Sequence, residues 1–109
     1  MGRSDFLGEF EQVVLLAVAH LHGRGYGVGV QEEIERRSGR EVAVGSVYAA
    51  LSRMDEQGLL ESWEGDPLPR RGGRARRYFR LTPAGTVALQ ESRAMMDAMW
   101  RDVELEPGA

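Results

Sequence analysis

The chain contains no cysteine and no lysine. Without cysteine there is no disulfide and no thiolate-held metal, which fits a reducing compartment. Without lysine, all fourteen basic residues are arginine. The planar guanidinium suits phosphates and guanine edges, but so complete a replacement reads as genome base composition, and we give it no functional weight. Long apolar runs are missing too. The longest, Val13 to Ala19, falls far short of the roughly 20 residues a membrane span needs. The acids Asp5, Glu9 and Glu11 stand ahead of it, unlike the basic start of a signal peptide. A cytoplasmic protein without a membrane partner is the expectation.

What is present is one small domain's worth of chain, 109 residues with a formal charge of -3. That sum does not advertise a polyanion partner, but distribution matters more than total charge. From Arg70 to Arg80 the chain carries six arginines and no carboxylate, with Gly72-Gly73 as a turn inside the tract.

Periodicity supplies the frame. Phe6, Phe10, Val13, Val14, Ala17 and Leu21 recur at helical spacing and predict a helix over roughly 6–22, capped by Ser4 or Asp5. A shorter helix over 28–38 buries Val30 and Ile34 and stops at Gly39. A third, from Val44 to Gln57, buries Val47, Leu51 and Met54 and stops at Gly58. Two strands follow, Leu59 to Glu64 and Arg76 to Leu81, the second with Phe79 and Leu81 on one face and Tyr78 and Arg80 on the other. A long irregular connection separates them. Thr82-Pro83 then opens a helix running to about Val103, the threonine as cap and the proline at the first helical position.

Three helices, a hairpin with a basic loop and a long final helix make a mainly helical α+β fold, a winged helix-turn-helix. The expected division is residues 1–82 as a DNA-binding winged helix-turn-helix and residues 83–109 as a dimerisation helix and tail. With Val47, Leu51 and Met54 turned inward, the third helix shows Gly45, Ser46, Ala49, Ser52 and Arg53. Side chains this small let a helix enter a major groove about 12 Å wide. Ser46 near the helix start can bond a phosphate or base edge. The Tyr48 hydroxyl can reach a phosphate, Ala49 a thymine methyl, and Arg53 a guanine or phosphate. The competing explanation is close packing of a small-residue face on a neighbouring helix. The arginine tract reads as a wing, with Arg70, Arg71, Arg74 and Arg76 on phosphates or in a narrow minor groove. Its bland alternative is a solvated loop. Arg77 and Arg80 lie deeper in the strand, where Glu61 or Glu64 can pair with them.

The run Val42-Ala43-Val44-Gly45-Ser46-Val47-Tyr48-Ala49-Ala50-Leu51-Ser52-Arg53-Met54, then Gly58-Leu59-Leu60, then Gly73 through Leu81-Thr82-Pro83-Ala84-Gly85, resembles the PadR family of bacterial transcriptional regulators. The similarity reaches upstream through Tyr26-Gly27 and covers roughly residues 6–103. It implies a homodimeric repressor of double-stranded DNA that reads with the third helix and wing and dimerises through its last helix. The short final helix is similar to that of the smaller branch of the family, some of whose members hold flat aromatic compounds between tryptophans at the dimer centre. Two positions depart from the family pattern: Ala43-Val44 replaces a Ser-Pro pair before the recognition helix, removing an expected cap, and Ala49 replaces a proline after the motif tyrosine.

Leu89, Ser92, Met96, Met99 and Val103 follow the 3-4 spacing of a helix-pairing seam, flanked by Met95 and Trp100. A second copy is the economical partner for so long a stripe, and two reading heads imply a roughly palindromic operator. Met96 and Trp100 are candidates for a small aromatic effector, against the plainer reading of interface packing. A winged-helix module that docks a protein rather than DNA is the competing function.

Other motifs carry little. Gly23-Arg24-Gly25-Tyr26-Gly27-Val28-Gly29 lacks the spacing of a dinucleotide or phosphate loop and follows a helix rather than a strand. His20 and His22 diverge on a helix with no third ligand, so no metal or other cofactor is expected. The acids Asp55, Glu56, Glu61, Glu64 and Asp66 are scattered, which argues against an enzyme.

Overall fold

The computed structural model describes residues 6–67 and 75–108. Helices α1 (Glu9–His20), α2 (Gly27–Ser38) and α3 (Val44–Glu56) are followed by strands β1 (Leu60–Pro67) and β2 (Ala75–Leu81) and by α4 (Pro83–Trp100). This is the winged helix-turn-helix order. The first three helices enclose Val14, Leu15, Val18, Val30, Ile34, Val47, Leu51 and Met54, and the hairpin closes the core with Leu60 and Phe79. The three residues expected on the inner stripe of α3, Val47, Leu51 and Met54, are all at 0% exposure. Each such burial contributes about 2 kcal/mol.

The boundaries differ from expectation where local chemistry differs. Helix α1 starts at Glu9, with Gly8 as N-cap. The Gly8 N–H donates to the Glu11 carboxylate at 3.0 Å, so a side chain one turn inside the helix does the capping expected of Ser4 or Asp5, both outside the described residues. Phe6 precedes the helix and is exposed. Helix α2 ends at Gly39 (φ 71°) as expected. Helix α3 ends with Gly58 at φ 80°. There the Gly58 N–H donates to Asp55 O and the Leu59 N–H to Met54 O, a left-handed stop that only glycine adopts without strain.

The hairpin is antiparallel and pairs Leu60 with Leu81, Glu61 with Arg80, Ser62 with Phe79 and Trp63 with Tyr78. Strand β1 continues through Gly65, Asp66 and Pro67, which the sequence placed in the connection. An irregularity between Glu64 and Pro67 absorbs the extra residues. Gly25 adds a single bridge to Phe79, whose N–H donates to Gly25 O at 2.7 Å. That bridge lays the α1–α2 turn along the edge of β2.

Thr82 caps α4 as expected, its hydroxyl oxygen accepting from the Gly85 N–H at 3.0 Å. The same hydroxyl donates to Gly58 O at 2.6 Å, and the Thr82 N–H donates to Leu59 O at 3.1 Å. The helix ends at Trp100 rather than Val103, because Arg101 is extended and Asp102 has φ 64°. Its packing on the body runs as far as Ser92, and Met96, Met99 and Trp100 beyond it are exposed. The radius of gyration, 16.4 Å, exceeds the roughly 13 Å of a compact chain this long. No helix among the described residues is long and apolar enough to cross a membrane.

Candidate nucleic-acid interface

The turn between α2 and α3 sets how the third helix is presented. Gln31 donates its side-chain amide to Val42 O at 2.9 Å, and the Val42 N–H donates to the Glu35 carboxylate at 3.1 Å. Ala43 is the N-cap of α3 and offers no side-chain bond, the consequence foreseen from Ala43-Val44. Beyond it Gly45, Ser46, Ala49, Ser52 and Arg53 are all exposed on the face opposite the core. The small-residue face is therefore free, not packed on a neighbouring helix within the subunit.

Tyr48 is exposed at 45%, and its ring lies against α2: a Cβ on Gly27 would sit 2.1 Å from Tyr48 Cζ. Contact with Gly27 thus fixes the direction in which the phenol is offered. Arg53 is half exposed and lies 3.7 Å from Glu11 of α1, so part of its charge is answered within the subunit.

On the wing, Arg70, Arg71 and Arg74 lie outside the described residues. Arg76 is described, and its guanidinium sits over the Tyr26 ring at 4.2 Å. Arg80 pairs with Glu61 across the hairpin, as expected, and also lies over Trp63. Arg77 does not pair with Glu64. It bonds Asp55 at 3.2 Å and Ser62 at 2.8 Å, while the Ser62 hydroxyl donates to Asp55 at 2.6 Å. Arg77 sits on the hairpin face turned toward α3, which brings it to the end of that helix rather than to its strand neighbour. This three-residue cluster ties the hairpin to α3.

Residues that sequence reasoning passed over stand beside Arg76. Tyr26 and Tyr78 meet edge to face with centroids 5.8 Å apart, and Tyr78 and Trp63 lie 6.0 Å apart at 25°. With Gly23 and Arg24 they line an open cleft of 430 Å³. The signal for Trp63 and Tyr78 was in the register, since directly paired strand residues share a face. Tyr26 depended on the Gly25 bridge, which no spacing announces.

The stripe on α4 divides. Ser92 does not face outward: it is fully buried in the subunit and accepts the Leu7 N–H at 3.0 Å. Leu89 is half-buried against the core. Both face the body because α4 packs on the domain from its start as far as Ser92. Met96, Met99 (68%) and Trp100 (59%) are exposed, and Val103 is exposed beyond the helix end. Met99, Trp100, Val103 and Leu105 surround a depression of 210 Å³; Met96 is not among its lining residues.

The family model described as transcriptional regulator PadR-like family matches residues 15–91. Transcriptional regulator Rv3488 of Mycobacterium tuberculosis is 37% identical over 78 residues, which cover 72% of this chain and 68% of that protein. A PadR family transcriptional regulator from Eggerthella lenta has a similar structure, with a TM-score of 0.65 at 25% identity, covering 84% of this chain and 79% of that one. A transcriptional regulator from Clostridium thermocellum shares the fold at a TM-score of 0.69 and 18% identity, covering 84% and 85% of the two chains.

Proposed function

As this chain belongs to the PadR-like family of transcriptional regulators, we propose that it is a homodimeric repressor that reads a roughly palindromic operator with α3 and the wing. The observation that carries this reading is the exposed face Gly45, Ser46, Ala49 and Ser52 on a helix whose other side is fully buried. Such a face enters a groove without collision. Gly45, Ser46, Ala49 and Arg53 approach base edges, with Tyr48 on a phosphate beside them. Arg76, together with Arg70, Arg71 and Arg74 from the sequence between the strands, grips the backbone or minor groove. The division at Thr82 separates this reading unit from α4.

The dimer reading rests on Met96, Met99 and Trp100, exposed apolar residues near the end of α4, and on Val103 just beyond it. Leu89 is half-buried against the core, and Ser92 is buried within the subunit. A small aromatic effector that loosens the operator complex fits the Met96 and Trp100 region, where a flexible thioether and a large ring offer an adaptable apolar surface.

Binding to a duplex carrying the protein's own promoter region, titrated with salt, tests the function. Counterion release predicts that log K falls with log salt by roughly 0.9 per phosphate contacted. A salt-insensitive association, or no binding to that duplex, would favour a module that docks a protein. Ser46→Ala is expected to change the preferred sequence, and Arg76→Ala to weaken all duplexes alike. Identical changes in both would overturn the division of labour between helix and wing.

A further inference from the structure

Seven of the ten described arginines (Arg36, Arg37, Arg40, Arg53, Arg77, Arg80 and Arg93) have a carboxylate partner. Among the described residues Arg24, Arg76 and Arg101 have none within ion-pair distance, and two of these, Arg24 and Arg76, line the same cleft. They come from different elements, Arg24 from the α1–α2 turn and Arg76 from β2, and the Gly25–Phe79 bridge holds those elements together. Where most of the described arginines are answered internally, two that line one cleft without a carboxylate partner select an anion.

The rest of the lining says what kind of anion. Tyr26, Tyr78 and Trp63 present three rings, with Trp63 38% exposed. Rings this close favour a flat, polarisable body beside the charge. Size narrows the class further. A dry cavity of about 150 Å³ is enough for a benzene-sized ring, whereas this cleft measures 430 Å³, within the span of sites for larger organic ligands. Duplex DNA supplies anions but keeps its bases stacked inside, so it leaves the three rings unused.

We propose that the cleft lined by Arg24, Tyr26, Trp63, Arg76 and Tyr78 binds a nucleoside phosphate, with its base against the Trp63 indole and its phosphate on the two guanidiniums. Occupancy draws Arg76 away from the Tyr26 ring and competes with the use of Arg76 on an operator. The site is separate from Trp100 and from the face of α3, so it gives the wing its own ligand.

The test is intrinsic fluorescence of the full chain carrying Trp100→Phe, in which Trp63 is the single remaining tryptophan. The probes are adenosine monophosphate, benzoate and inorganic phosphate. Adenosine monophosphate is expected to quench Trp63 saturably, and Arg24→Ala with Arg76→Ala to weaken that binding by about tenfold or more, the effect of losing a charge-assisted bond. In the wild-type protein Trp63→Phe is expected to remove the same response. Benzoate or phosphate acting as strongly as the nucleotide would overturn the size and ring arguments. Quenching untouched by the arginine changes, or no saturable quenching, would overturn the site itself. Weaker duplex binding by Arg24→Ala without any nucleotide response would assign the cleft to backbone phosphates instead. Nucleotide binding in a protein that ignores its promoter duplex would sink the operator reading alone.

Discussion

Among the described residues Glu33 is the buried charge: its side chain is enclosed, and both Arg36 and Arg37 reach it from the same helix. The hydrogen bond from Arg37 chiefly holds its carboxyl below the usual 4.5; burial opposes this, and the bond from Arg36 and the two charges add to it. A carboxyl depressed in the folded state stabilises fully above its unfolded pKa and loses that contribution as pH falls through the folded one. Glu33→Gln is therefore expected to flatten the decline of the unfolding temperature below about pH 4.5, measured against wild type by thermal scans. Parallel declines would show that the pair contributes nothing specific. Gly27 makes a different demand. An alanine there collides with the far end of Tyr48, an exposed ring able to swing aside. Gly27→Ala is expected to leave the unfolding temperature within a few degrees, since a shift of that size corresponds to about 1 kcal/mol, while weakening duplex binding through the displaced phenol. A large loss of stability with intact binding would refute this role for the contact.

Among the elements, the hairpin and α4 are held at sites of contrasting rigidity. Gly85 has no room: a Cβ there would lie 2.1 Å from the Leu59 carbonyl oxygen, a backbone atom that cannot rotate away. Gly85→Ala is expected to cost about 1–3 kcal/mol, and Thr82→Ala about 1 kcal/mol through the lost cap, both read by chemical denaturation. Equal and negligible costs would mean that α4 is not seated there. The Asp55, Ser62 and Arg77 cluster joins the hairpin to α3, so on the proposed function Asp55→Ala and Arg77→Ala should each lower duplex affinity and combine with less than additive effect. Full additivity would separate them. Much of this architecture was readable in the residues. Gly39, Gly58 and Thr82-Pro83 mark their boundaries by conformations or caps that few residues supply, and Val47, Leu51 and Met54 repeat at the helical period. Contacts between elements distant in sequence were not readable. The Ser92 bond to Leu7, the pairing of Arg77 with Asp55 and the Tyr26 cluster depend on how elements dock, and Ser92 fits a seam by spacing while packing inward. Strand β1 ran on because its irregular pairing tolerates the glycine and proline that suggest a loop.

For the whole molecule, the decisive feature is an apolar half-helix with little of its own subunit to cover it. Met99→Glu together with Trp100→Glu is expected to convert a dimer to a monomer in sedimentation velocity and to weaken operator binding, because two linked heads gain from effective concentration. A wild-type monomer, or a variant that still sediments as a dimer, would remove α4 from the interface. The root of α4 gives this arrangement a mechanical character. Thr82 fastens it to the carbonyls of Gly58 and Leu59, the two residues that close α3, and Gly85 packs closely against the Leu59 carbonyl. The helix is a lever about 27 Å long at 1.5 Å per residue, so each degree of tilt at the root moves the far tip by about half an ångström. Small disturbances at Leu59 therefore become displacements of several ångströms at the exposed end of α4, and in the dimer proposed above that one joint would set the spacing between the two copies of α3.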